Sequence, residues 1–371
     1  MITANIITYL EMIPDPRTVR CTHLMTDIVA IALLAKICGA DGWEDMHEFG
    51  CSRQDWLSSF LELPSGIPSP DTFRRIMSSV DPSAFLEAFL EWMKAVQSKA
   101  SELISIDGKS ICSAAKSDNP IHIVSAWCEA NHMILGQIRN KHKSNEIAAI
   151  PELLKQLILP VGCVITIDAA GTHKENAHLI RDLAVDYVLP VKGNQPNLRD
   201  ELENFFNQAD DCGRGYAPLQ EHITEEKGHG RMELRQVYVT GDIEWLPQRT
   251  AWKDLRSIIK LVSVRRSEGK RAEEVRYFIS SLPPDAERIA KTIRRHWQIE
   301  NQCHWVLDVV FGEDQTTITE GSAPENMRTI NLLAAKMLKG EKTCKKGIKA
   351  KQFKAALNNG YLTKVLHSSN F

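Results

Sequence analysis

His296, Glu300, His304 and Asp308 recur at four-residue spacing inside the run Arg294-Arg295-His296-Trp297-Gln298-Ile299-Glu300-Asn301-Gln302-Cys303-His304-Trp305-Val306-Leu307-Asp308. No Gly or Pro interrupts it, so the run reads as helix, and on a helix these residues share one polar face. Ile299, Cys303, Val306 and Val310 supply apolar packing beside that face. A surface helix can carry such a face for solubility alone. Two acidic strands tip the balance toward chemistry. Leu103-Ile104-Ser105-Ile106-Asp107-Gly108-Lys109 is a short apolar strand ending in a carboxylate with a glycine turn behind it, and Val161 to Gly171 repeats the design around Asp168. A carboxylate at the end of a buried strand sits at the rim of a sheet, where ligand sites of open α/β folds lie. Asp107, Asp168 and Glu300 can therefore converge on a divalent cation such as Mg²⁺, which takes oxygen ligands.

A zinc hydrolase built on His296, Glu300 and His304 is the enzymatic rival, since zinc accepts imidazole and carboxylate. The spacing is not HExxH, and that reading leaves Asp107 and Asp168 unused. His304 and His296 can orient Glu300 or touch a substrate phosphate, or simply complete a polar helix face. Trp297 and Trp305 bracket the acidic face and are expected to pack the helix rather than to stack on bases.

The elements that must position these residues follow in order. Residues 24–38 are dense enough in apolar side chains for a buried helix closed by Gly39, and Ser69-Pro70 reads as a cap and first turn of another. Residues 82–96 form one more helix leading into the Asp107 strand. Residues 121–128 and 133–138 read as a hairpin, 145–157 as a helix around Pro151, and 186–191 as a strand before the Lys192-Gly193-Asn194-Gln195 loop. An acidic strand, two further strands, a helix and a second acidic strand suit an RNase H-like mixed sheet. Between Asp168 and Glu300, residues 198–206 read as helix and 216–231 as an exposed polar stretch. Residues 232–240, 258–264 and 274–279 read as strands, the last two joined by a turn holding Arg265, Arg266, Lys270 and Arg271.

The strings IDGK, TIDAAGTH, VKGNQ and HWQIENQCHWVLDV with FGED behind it resemble a bacterial insertion-sequence DDE transposase, in the branch of the H-repeat-associated proteins, over about Asp15 to Leu338. The resemblance implies an α/β protein. A helical transposase-associated N-terminal domain occupies 1–98, and an RNase H-like DDE catalytic domain occupies 99–338. A mostly β insertion at about 210–282 interrupts the catalytic domain, and 339–371 is a basic C-terminal tail. It implies Asp107, Asp168 and Glu300 as catalytic metal ligands, Mg²⁺ as cofactor with Mn²⁺ able to substitute, and cleavage and strand transfer at insertion-sequence ends. The partners it implies are DNA, through the terminal repeats, and further copies of the chain in the DNA complex. Candidate DNA contacts are Lys109, Lys143 in a Lys-Ser-Asn-Glu string, Lys192, Gln195, Arg265, Arg266, Arg294, Arg295 and His304. The residues after Asp168, after Lys109 and after Asp314 depart from the family pattern, so a DNA-binding protein that has lost catalysis is the alternative.

Composition agrees without deciding. The chain has 371 residues, 43% hydrophobic and 25% charged, with a formal net charge of −2, so no global basic excess announces nucleic acid. Charge is uneven: residues 336–371 hold nine Lys and one Glu, whereas residues 1–100 hold eight Lys plus Arg against thirteen Asp plus Glu. Nine cysteines without a CxxC pair argue against a zinc ribbon or a redox pair. No uncharged run reaches membrane-spanning length, and cytoplasm is the expected compartment, with nucleoid association when DNA is bound.

Overall fold

The computed structural model describes residues 6–18, 21–96, 102–111, 121–140, 146–212, 216–228, 231–267 and 270–368. The chain opens with helices α1 (Ile6–Leu10), α2 (Met25–Ile37), α3 (Trp43–Ser52), α4 (Gln54–Leu57), α5 (Pro70–Ser79) and α6 (Pro82–Val96). α2 is apolar on every side and lies at the centre of this lobe, with Ile28, Val29, Ile31, Leu33 and Leu34 all at 0% exposure. It ends where Gly39 takes a φ of 91°, the left-handed conformation that lets Ala40 N–H reach back to the Ala35 carbonyl at 3.0 Å. At α5 the Ser69 hydroxyl accepts from Thr72 N–H at 3.3 Å, with Pro70 in the first turn, as the residues foretold.

The sheet follows as β1 (Leu103–Ile111), β2 (Ile121–Cys128), β3 (Met133–Asn140), β4 (Val164–Ile167), β5 (Asp186–Val191), β6 (Gln220–Gly228), β7 (Arg231–Thr240), β8 (Ser257–Ser267) and β9 (Lys270–Ser280). Among the described residues these form one nine-stranded sheet in the order β3-β2-β1-β4-β5-β9-β8-β7-β6. β1, β4 and β5 run parallel and the other pairings are antiparallel, so the sheet is mixed. α7 (Glu146–Gln156), α8 (Lys174–Asp182) and α9 (Pro196–Cys212) cover one face, and α10 (Ala286–His296) packs on the other.

Several sequence readings change here. β1 does not stop at Asp107; it stays paired with β2 as far as Ile111↔Ile121. The stretch read as exposed and polar contains β6, an edge strand whose exposed and half-buried residues include Glu221, Glu225, Glu226 and Lys227. Such charge protects a sheet edge and erases the apolar alternation by which strands are read. Arg265 and Arg266 lie in β8 rather than in a turn. The β elements of 220–280 also extend the core sheet directly, through the antiparallel β5–β9 pair.

The segment read as a basic tail is folded. α11 (Ala323–Gly340) packs against α2, α5 and α6, and α12 (Ile348–Leu357) and α13 (Asn359–His367) close over it. Leu362 and Val365 are fully buried, in one core with residues from α1 to α6. No helix among the described residues is long and apolar enough to cross a membrane.

Candidate active site

Alternation along β1 sets the first part of the site. Ile104 and Ile106 point into the core beneath α7, while Leu103 points to the α10 side, so Ser105, Asp107 and Lys109 also face α10 and its continuation. β4 alternates in step, with Ile165 and Ile167 beneath and Val164 and Thr166 above. The parallel register ends at Ile106↔Ile167, so the next residue on each strand is an aspartate, and Asp107 and Asp168 line one small cleft. Asp168 leaves the sheet at once: its carboxylate accepts from Gly171 N–H at 3.1 Å and closes the 3₁₀ turn Ala169–Gly171. That turn demands glycine, because a Cβ at Gly171 would collide with the Ile167 and Ile150 side chains.

The helix supplies the rest. α10 starts at Asp285, whose carboxylate accepts from Arg288 N–H at 2.9 Å, and its line continues as π-helical turns Glu300–His304 and Val306–Val310. In an α-helix each four-residue step drifts by about 40°. The wider π turns, common at functional sites, rotate less per residue and return part of that drift, which keeps His296, Glu300, His304 and Asp308 on the sheet side.

Asp107, Glu300 and His304 come together, each offering a ligand atom within 4.8 Å of the others. His304 Nδ1 is 3.0 Å from Glu300 Oε2 and 3.4 Å from Asp107 Oδ2. With carboxylate oxygens on both sides, Nδ1 carries the proton and donates. Burial holds the imidazole of His304 below its ordinary range, while the hydrogen bond from His304 holds the Glu300 carboxyl below its own. The pair is thus a neutral imidazole beside an ionised carboxylate at neutral pH. Carboxylate oxygens suit Mg²⁺ or Mn²⁺, and an imidazole nitrogen is compatible with the latter. Asp168 is not in this group of three; it adjoins through the shared cleft.

One turn earlier, His296 Nδ1 sits 2.8 Å from Thr166 Oγ1, and Thr166 donates to Ser105 Oγ at 3.2 Å. Burial pushes the His296 imidazole down to about 4. It stays neutral and pins the helix to β4 and β1.

The expected DNA contacts divide. The Lys109 ammonium is committed inward to Asp308, with Glu313 at 3.8 Å and Asp314 at 4.0 Å. Gln195 Nε2 donates to the Thr172 carbonyl at 3.0 Å and Asn194 to the Ala169 carbonyl at 2.7 Å, so both tie the loop after β5 to the Asp168 turn. His304 is buried and serves Glu300. Lys192 is exposed and lines a cleft of about 130 Å³ with Asp168 and His296. Arg265, Arg294 and Arg295 line a groove of about 460 Å³ between α10 and the β6–β9 strands; the first two pair there with Glu233 and Glu226, while Arg295 pairs with Glu129 just after β2. Arg266 is exposed. Lys143 lies outside the described residues. Trp297 and Trp305, expected to pack, are 44% and 53% exposed, and Trp297 lies in the groove beneath the Arg276 guanidinium.

The Transposase DDE domain family matches residues 98–336, and the DDE_Tnp_1-associated family matches residues 7–93. The chain belongs to the DDE transposase family. Its relatives place it in the H-repeat-associated branch. The YncI protein of Escherichia coli O157:H7 is 38% identical over 98% of this chain and 95% of its own length. The H repeat-associated protein YhhI of Escherichia coli (strain K12) is 37% identical over 97% of each chain. Among solved structures, a piggyBac transposase synaptic complex with hairpin DNA aligns over 97% of this chain and 78% of that one, at 11% identity and a TM-score of 0.44. The two family matches span the helices α1 to α6, both acidic strands and the Glu300 helix. The residue types already allow His304 to orient Glu300; what they leave hidden is the contact of the same imidazole with Asp107.

Proposed function

We propose that this DDE transposase cuts DNA at insertion-sequence ends and joins the freed ends to a target, using Mg²⁺ or Mn²⁺ on an RNase H-like core. The observation that supports this most is the convergence of Asp107 and Glu300 with His304, with Asp168 adjoining, since each aspartate follows the last parallel pair of β1 and β4. Asp107, Asp168 and Glu300 are the catalytic carboxylates that would hold the metal. When bound, the metal lowers the pKa of the attacking water or 3′-hydroxyl and stabilises the leaving oxygen. His304 keeps the Glu300 carboxylate ionised and aimed at Asp107. His296 fixes the rotation of the helix through Thr166.

The groove between α10 and the β6–β9 strands is the proposed path of the DNA, with Arg265, Arg294 and Arg295 meeting phosphates, Arg266 flanking them and Lys192 beside Asp168. Phosphates there must displace Glu226 and Glu233 from the same guanidinium groups, and the counterions that DNA sheds on binding make the affinity fall as salt rises. Residues 1–98 act as the associated domain, 99–338 as the catalytic domain with the insertion at about 210–282, and 339–371 as a basic surface for DNA. Two ends cut in concert require at least two copies of the chain.

The test is Mg²⁺- or Mn²⁺-dependent cleavage and joining of DNA carrying the flanking terminal repeats, with wild type beside Asp107→Ala, Asp168→Ala and Glu300→Ala. Metal-dependent activity lost in all three variants supports the assignment. Activity retained in all three refutes it. Specific end binding without cleavage in wild type favours a family member that has lost catalysis.

A further inference from the structure

The polar contacts between β1 and the helix that carries Glu300 follow the same order along both elements. Ser105 meets His296 through Thr166. Asp107 meets His304 and Glu300. Lys109 meets Asp308.

The apolar residues of the π-helical turns are anchored elsewhere. Cys303, Val306, Leu307 and Val310 belong to the core of the helical lobe, which draws on β2 and β3 but not on β1 or β4. The part of the helix that carries Glu300 and His304 is thus held against β1 by polar contacts, and Lys109–Asp308 is the ion pair among them. It is well placed to hold: the Lys109 side chain is 9% exposed, and Glu313, 4% exposed, faces it from the next turn while binding the buried Arg328 of α11. Removing the ammonium would leave Asp308 and Glu313 as like charges next to each other in a poorly hydrated place, and drawing the helix away from β1 is the direct relief.

We propose that Lys109 is a positioning residue for the carboxylate site: its ammonium straps the Glu300–His304 helix to the strand that carries Asp107, and so sets the separation of the two carboxylates. This rests on the reading of that site as one for a divalent cation. Lys109 then acts through Asp308 and not on DNA.

The experiment is Mn²⁺ affinity of the full chain, read by titration calorimetry or by the free-Mn²⁺ resonance, for wild type, Lys109→Met, Lys109→Arg, Asp308→Asn and Asp107→Ala. Far-UV circular dichroism and a thermal melt identify the folded variants. Lys109→Met and Asp308→Asn are expected to fold and to bind Mn²⁺ about 10-fold or more weakly, the scale typical of residues that orient metal ligands. Lys109→Arg, which keeps the charge, is expected to retain most of the affinity. Wild-type affinity in folded Lys109→Met or Asp308→Asn overturns the proposal, and Asp308→Asn decides if Lys109→Met does not fold. Wild-type affinity in Asp107→Ala overturns the cation-site reading itself, whereas loss there with full binding in Lys109→Met refutes the strap alone.

Discussion

Replacing His296 by Asn tests whether the helix is pinned by a neutral imidazole. Asn is small enough for the site and offers an N–H to Thr166, but it cannot take up a proton. Burial holds the imidazole down to about 4 in the folded chain, against 6.5 for an ordinary histidine. Its contribution to stability is therefore complete above about pH 6.5 and is lost as the pH falls toward 4, because the unfolded chain takes the proton first. Between about pH 7.5 and 5.5 the linkage amounts to about 1.3 kcal/mol, and it approaches about 3 kcal/mol once the pH passes below the folded value. Urea unfolding of both proteins at several pH values across this window supplies the comparison. Carboxylates titrate in both proteins and cancel in the difference, so wild type should lose about 1.3 kcal/mol more than His296→Asn by about pH 5.5. Parallel stability curves over that interval would refute the reasoning, and a wild type that gains stability on acidification would reverse it.

Two further perturbations probe the frame around the site. Leu362→Ala empties a fully buried position in α13 and should cost about 2–5 kcal/mol in urea; no change would mean that the C-terminal helices are not part of the core. Gly321→Ala forces a side chain onto a residue with φ of 51°, with the new Cβ 2.5 Å from the Ser78 carbonyl. It should lower stability by more than about 1 kcal/mol in the same assay, and a neutral result would count against this junction between the loop before α11 and the end of α5.

The parts of the molecule that could be read in the sequence are those in which a residue's type dictates its surroundings. The apolar runs around Ile104 and Ile165 read as buried strands, and Asp168 does end its run; Asp107 instead lies within β1, where only the parallel pairing with β4 stops. Ser69-Pro70 and Gly39 announce helix ends through backbone chemistry that needs no tertiary partner. The change from α to π geometry at Glu300 could not be read, because it concerns which carbonyl each N–H chooses, and side-chain type hardly biases that choice. Lys109 was beyond reach for another reason. A lysine beside a catalytic aspartate looks the same whether it faces a phosphate or an acid 199 residues away along the chain. The lysines of 336–371 hid the spacing of Tyr361, Leu362, Val365 and Leu366, which is that of a helix with one buried face. Net charge describes the outside of a segment and says little about what its apolar residues do.

The common core of the first and last helices bears on how the protein is made. α2 is apolar on all sides, and the helices that cover it include α11, which begins at Ala323, and α12 after it. On a ribosome adding about 5–20 residues per second, those partners emerge tens of seconds after α2. α1 and α3 can pack on it at once, but the side that α11 covers stays open for all of that time, a surface that chaperones shielding apolar segments would recognise. A message cut short before Ala323 would leave that side open for good and expose the product to proteolysis.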